Sequence, residues 1–161
     1  MSSDALFGLS ILMSFLAFAI STKVFVLPRL RVIRGTDAII PFVIPHTFRF
    51  LGLSFLIPGV VSPSLSPAFA VPAAYGDLVA AVLADVATLA LAARASWAIP
   101  IVWLFNVWGT LDLLRVIYEG QIGVGIDPGS LGAAFFIPTV VVPLLLVTHG
   151  LIFWLLLRTE Q

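Results

Sequence analysis

Cysteine is absent from this chain, which excludes disulfides, thiolate metal centres and cysteine nucleophiles. Charge is scarce. Eight basic and eight acidic residues make up 10% of the 161 positions, against about a quarter in soluble domains. The formal net charge is zero, so nothing favours nucleic acid as a partner. No basic residue precedes the first apolar run, which argues against a cleavable signal peptide. Internal repeats, low-complexity tracts, phosphate loops, zinc motifs and hydrolase elbows are missing as well.

What fills the chain is apolar sequence, 61% hydrophobic with a mean hydropathy of +1.17. Composition alone classes it as an integral membrane protein. The length accommodates about five spans of ~20 residues with short connections and no separate soluble domain. The expected fold is all-α, a single transmembrane helical bundle over residues 1–161, with spans at about Ala5–Leu27, Ala38–Val61, Ala73–Ala92, Ala98–Tyr118 and Leu131–Leu157. Under this division Lys23, Arg29, Arg31, Arg34, Arg94 and Arg158 all fall on one side. The positive-inside rule makes that side cytoplasmic, giving an N-out, C-in topology. The second span is interrupted by Pro41, Pro45 and Pro58 and is expected to bend around Pro45. Its alternative is a re-entrant segment, which leaves four crossings. The stretch SPSLSPAFAVP that follows is expected to lie on the membrane surface, with Pro72 near the first turn of the third span.

Ionisable groups inside such spans are costly and normally face a bundle interior or a water-filled cavity. Counting rise per residue puts Asp77, Asp112 and Arg115 in an outer layer and Arg49, Asp85 and Asn106 nearer the midplane, on several different helices. An arginine at that depth calls for a carboxylate. The third span supplies Asp77 and Asp85, of which Asp77 is favoured, while Asp112 and Arg115, three residues apart, can pair within their own helix. Arg115 also has the option of reaching the outer headgroups. Gly109 offers a notch for close helix approach. The two histidines, His46 and His149, fall at similar depth on the second and fifth spans, a placement that fits axial ligation of a b-type haem or a proton relay. The simpler reading is two neutral histidines bonded to carbonyls that Pro45 and Pro143 leave free. No metal site is expected, and no cofactor other than that haem.

Two strings, Phe69-Ala70-Val71-Pro72-Ala73-Ala74-Tyr75-Gly76-Asp77 and Asn106-Val107-Trp108-Gly109-Thr110-Leu111-Asp112-Leu113, together with Phe48-Arg49, resemble a pattern in uncharacterised bacterial multi-pass membrane proteins: phenylalanine-arginine, then FAxPAxxGD, then NxxGxxDL. The resemblance covers roughly Thr47 to Leu114. It implies a bacterial inner-membrane location and groups Arg49, Asp77, Asn106 and Asp112 as a set, and it supplies no activity.

Together these features predict a non-enzymatic multi-pass membrane protein that binds a small hydrophobic ligand, a lipid or a partner membrane subunit through an Arg49, Asp77, Asp112 cavity, with proton coupling as an extension. Two alternatives stay open. One is an intramembrane enzyme using Asp77 and Asp112 as an acid/base pair, and the other a haem-b protein held by His46 and His149.

Overall fold

The computed structural model describes residues 1–30 and 35–159. Arg31 and Arg34, two of the basic residues expected on the cytoplasmic side, lie outside the described residues. Among those described the chain is helical almost throughout, with no strand. Four helices are long and apolar enough to cross a membrane: α1 (Ser3–Leu30), then, after a shorter apolar helix α2 (Ile40–Leu56), α3 (Pro67–Ala92), α4 (Ala98–Gly123) and α5 (Ile137–Arg158).

The prolines accompany most of the irregularities; the π turn at Glu119–Gly123 that ends α4 has none. Proline lacks an N–H, and its ring clashes with the carbonyl four residues back, so the ordinary ladder cannot pass through it unchanged. In α1 and α5 the chain widens by one residue just ahead of the proline. The N–H of Leu27 bonds to the Thr22 carbonyl before Pro28, and the N–H of Val142 bonds to the Ile137 carbonyl before Pro143, so that each helix contains a π turn. In α2 the α-helix ends at Thr47, two residues after Pro45, and Phe48–Leu56 continues as a 3-10 helix. This is the bend expected from the sequence, and it also lengthens the segment. Eight α residues at ~1.5 Å and nine 3-10 residues at ~2.0 Å give roughly 30 Å, about the thickness of a hydrocarbon layer.

α2 uses that length. Ile39 and Val43 at its start share an apolar cluster with Ala84, Ala87, Ala90 and Leu91 of α3, and Phe55 near its end meets Phe69 at 5.8 Å between ring centroids. It therefore runs antiparallel along nearly all of α3. α2 packs on α3 and α5, α4 packs on the same two helices, and α1 lies on the outside of α5.

α3 starts at Pro67, six residues earlier than the sequence suggests, with Ser66 in extended conformation at its N-cap. Residues 67–72 are thus helical rather than a surface stretch, because Phe69 and Ala70 bury against Phe55, Leu131 and Ala134. Pro72 becomes an internal proline. The buried face of α3 is almost all alanine, while Val71, Val79, Val82, Val86 and Leu89 point outward. Small side chains inside and large apolar ones outside invert the soluble pattern and let neighbouring backbones approach closely. At one end of the bundle Arg158 donates to the Leu30 carbonyl at 3.2 Å and Arg94 pairs with Asp37 at 3.2 Å. The opposite end holds Asp4, Glu119 and Asp127.

Candidate functional site: a buried arginine between two carboxylates

In a 3-10 helix, residues three apart eclipse one another. The switch at Phe48 therefore stacks Arg49, Gly52 and Phe55 on one buried face, in line with buried His46 from the preceding turn. Arg49 is 2% exposed, and its guanidinium is held on three sides. Nε donates to Asp77 Oδ1 of α3 at 2.8 Å, Nη2 donates to Asp112 Oδ2 of α4 at 2.8 Å, and Nη1 donates to the Gly109 carbonyl at 3.1 Å. Nη2 also lies 2.7 Å from Asp77 Oδ1. One side chain thus ties α2 to α3 and α4. Arg115 closes the outer edge, donating to the Pro72 carbonyl at 3.0 Å and meeting Asp112 Oδ1 at 3.4 Å, with 44% of its side chain exposed. Two cations balance two anions, as burial requires.

Three glycines make the room. A Cβ on Gly52 or Gly76 would overlap the carboxylate of Asp77 or Asp112 respectively. One on Gly109 would sit 2.7 Å from His149 Cε1 and 2.9 Å from Arg49 Nη1. Of these only Gly109 stands out in the sequence reading. Gly52 and Gly76 were legible in principle, as the glycines one 3-10 turn after Arg49 and immediately before Asp77.

Asn106 and the histidines form the layer below. Asn106 Oδ1 accepts from His149 Nδ1 at 2.6 Å, and its Nδ2 donates to the His149 carbonyl at 3.3 Å. His46 Nε2 meets Thr148 Oγ1 at 2.8 Å, and that hydroxyl is also 3.0 Å from the Leu144 and Leu145 carbonyls. A threonine has one proton to give. When it goes to a helix carbonyl, Nε2 of His46 is the donor. His46 Nδ1 and His149 Nε2 have no hydrogen-bond partner among the described residues. Nothing in the sequence marks Thr148, because one threonine in a long apolar run is unremarkable.

The structure brings Arg49, Asp77, Asn106, Asp112, Arg115, His46 and His149 together and leaves Asp85 out. Asp85 is exposed on the outer face of α3 and makes no ion pair among the described residues. Eight residues along a helix turn a side chain well away from Asp77, and depth counting cannot register that rotation. Nor is there an open cavity around Arg49. The void beside it is about 10 Å³, room for at most one water. The haem expectation does not fit the histidines. Their ring centroids are 4.1 Å apart, and a porphyrin held between two imidazoles needs the rings separated on its opposite faces. Asp77 and Asp112 share one guanidinium rather than flanking an open space.

A much larger space lies elsewhere. A side-opening cavity of about 320 Å³ runs between α1 and the α4–α5 face. Phe7, Gly8, Ile11, Val116 and Leu146 wall it, with Asp4 and Gln121 at its rim.

A family model described as a domain of unknown function, DUF8737, matches residues 6–157. No curated protein and no solved structure matches the chain.

Replacing Arg49 by methionine should destabilise the protein by about 3–5 kcal/mol, since it leaves buried carboxylates without their cation. The rescue should be unequal. Asp112 keeps Arg115 nearby and Asp77 keeps nothing, so adding Asp77→Asn should recover more of the loss than adding Asp112→Asn. Unfolding of the single and double variants measures both couplings.

Proposed function

The chain belongs to the DUF8737 family, whose description assigns no activity, and on that footing we propose that it is a non-enzymatic membrane-embedded bundle that takes up the chain of a lipid or similar small apolar ligand. The ligand site in this reading is the cleft beside α1, and the arginine cluster is the pin that holds the bundle around it. The observation that carries the reading is the contrast in space. The polar cluster is closed around itself with about 10 Å³ to spare, whereas the apolar cleft of about 320 Å³ reaches the low end of ordinary ligand-site volumes. A space of about 460 Å³ at Phe25, Leu30, Pro41 and Phe42 is roomier but lies more open, and so encloses a ligand less. Asp4 and Gln121 at the rim suit a polar headgroup above an apolar chain.

Five crossings with the N-terminus outside fit best. The ~30 Å reach of α2 along α3 favours a full crossing over a re-entrant one. The gathering of Arg94, Arg158 and the Leu30 end on one side, opposite Asp4, Glu119 and Asp127, favours that side as cytoplasmic. The FAxPAxxGD and NxxGxxDL resemblance supports a bacterial inner membrane. A second reading, proton coupling, draws on His46 Nδ1 and His149 Nε2, two buried nitrogens without hydrogen-bond partners beside a charged cluster. Below them, however, Val102, Phe105, Ala84 and Ile152 close the bundle with apolar side chains, so a relay reaches them from one side only.

Topology is checked by cysteine labelling in a chain that has none of its own. Exposed positions Ser64 and Ile122 should react with an impermeant thiol reagent from outside and Ser96 should not; labelling of Ser96 from outside would invert the model.

Ligand uptake is checked by mass analysis of the gently purified protein. The native chain should carry about one apolar molecule per copy. Gly8→Phe, which points a ring into the cleft from a position with nothing within 4 Å, should release it while leaving the unfolding temperature within a few degrees. A ligand retained in full by Gly8→Phe contradicts the assignment of the cleft.

A further inference from the structure

We propose that copies of this chain associate head to tail, with Asp85 of one copy paired to Lys23 of the next. The proposal rests on the membrane reading above, because only in hydrocarbon does an exposed carboxylate demand a partner.

Asp85 lies on the outer face of α3 among the exposed apolar side chains Val82, Val86 and Leu89, and takes no partner among the described residues. It is seven residues before the helix end at Ala92, and because the 26 residues of α3 outreach a ~30 Å hydrocarbon layer by about 9 Å, its carboxylate lies about 6 Å inside that layer. Its side chain is too short to reach water from there, unlike a lysine or arginine. An intramembrane carboxylate in that position ordinarily meets a cation or faces a polar cavity. Asp85 lines neither the cleft beside α1 nor the void at Arg49, and none of the ion pairs among the described residues reaches it.

Lys23 is the complementary feature. It is exposed on α1, between exposed Ile20 and Val24, and it too is unpaired among the described residues. Two internal references put it at the level of Asp85. Phe7 of α1 and Phe69 of α3 wall the same outer cleft, and Lys23 comes sixteen residues after the first and Asp85 sixteen after the second. At the other end Leu30 and Leu91 share one apolar cluster. Lys23 comes seven residues before Leu30 and Asp85 six before Leu91, a difference of about 1.5 Å in depth.

The two residues do not pair within one copy: no ion pair joins them among the described residues, and α1 packs chiefly on α5 while α3 packs chiefly on α2 and α4. Between copies the equality of depth becomes decisive. Copies related by an axis along the membrane normal all sit at one height, so a cation and an anion pair across the contact only when their levels agree. Faces on different sides of the protomer make the contact heterologous, and such contacts close into a ring where the rotation between copies divides a full turn and otherwise run on as an open row.

The test uses the full chain carrying both Ile20→Cys and Val82→Cys, exposed positions one turn before Lys23 and Asp85 that leave the ion pair in place, reconstituted in phosphatidylcholine–phosphatidylglycerol vesicles and treated with a short bismaleimide. The double variant should yield a ladder of dimers and higher multiples. A mixture of the two single variants should give dimers only, and each single variant alone should stay monomeric. Charge exchange separates association from folding. Lys23→Glu or Asp85→Lys should each weaken self-association at least about tenfold, and combining them in one chain should restore it to within about threefold. A double-cysteine chain that stays monomeric would falsify the pairing. So would Ile20→Cys crosslinking to itself, a charge exchange that fails to restore association, or a Val82→Cys chain that crosslinks in native membranes only to a different protein. Extraction of the chain from membranes by carbonate would sink the membrane reading itself, whereas a membrane-integral monomer sinks only the association.

Discussion

A guanidinium shared by two carboxylates from two other helices is the constraint on which the bundle turns. Arg49 has donors on three edges, and Asp77, Asp112 and the Gly109 carbonyl take one each. Planar donors fix direction as well as distance, so α2, α3 and α4 must arrive at defined heights and rotations. The apolar packing of these helices is permissive by comparison, since alanine faces slide past one another with little change in contact. The charged cluster sets the register that the alanines leave open. Its residues need room, and Gly52, Gly76 and Gly109 supply it by having no side chain where the carboxylates and the His149 ring lie.

Backbone irregularity serves the same end. Had α2 stayed α-helical beyond Thr47, Arg49 and Gly52 would be separated by about 60° around the axis instead of stacking, and the segment would be several Å too short to follow α3. The change falls just after Pro45. Pro28 and Pro143 produce the opposite adjustment, a widened turn, so one chemical deficiency gives a lengthened helix in one place and a bulge in two others.

Much of this was legible in the sequence because charge in an apolar background is conspicuous. Arg49, Asp77, Asn106, Asp112 and the histidines announce themselves by type, and helix arithmetic gives their depth. Rotation is harder to read. Asp85 passed for a core residue on depth alone, although it faces outward. Thr148 carries no such signal, since its importance comes from what lies opposite it on another helix. The cleft beside α1 was invisible for the same reason: a cavity is a failure of two distant surfaces to meet, and nothing local marks it. The closed state of the arginine cluster also depends on three-dimensional fit, so the sequence reading expected an open cavity where one side chain fills the space.

The most direct measurement is solid-state NMR of the protein in bilayers, with the Arg49 guanidinium nitrogens and aspartate carboxyl carbons labelled. Dipolar couplings should place the guanidinium against both carboxyl groups at once, in keeping with N–O separations of 2.8 Å to Asp77 and 2.8 Å to Asp112. Coupling to only one carboxylate, or a guanidinium whose protons exchange with bulk water as freely as those of a surface arginine, would contradict a closed, doubly paired core.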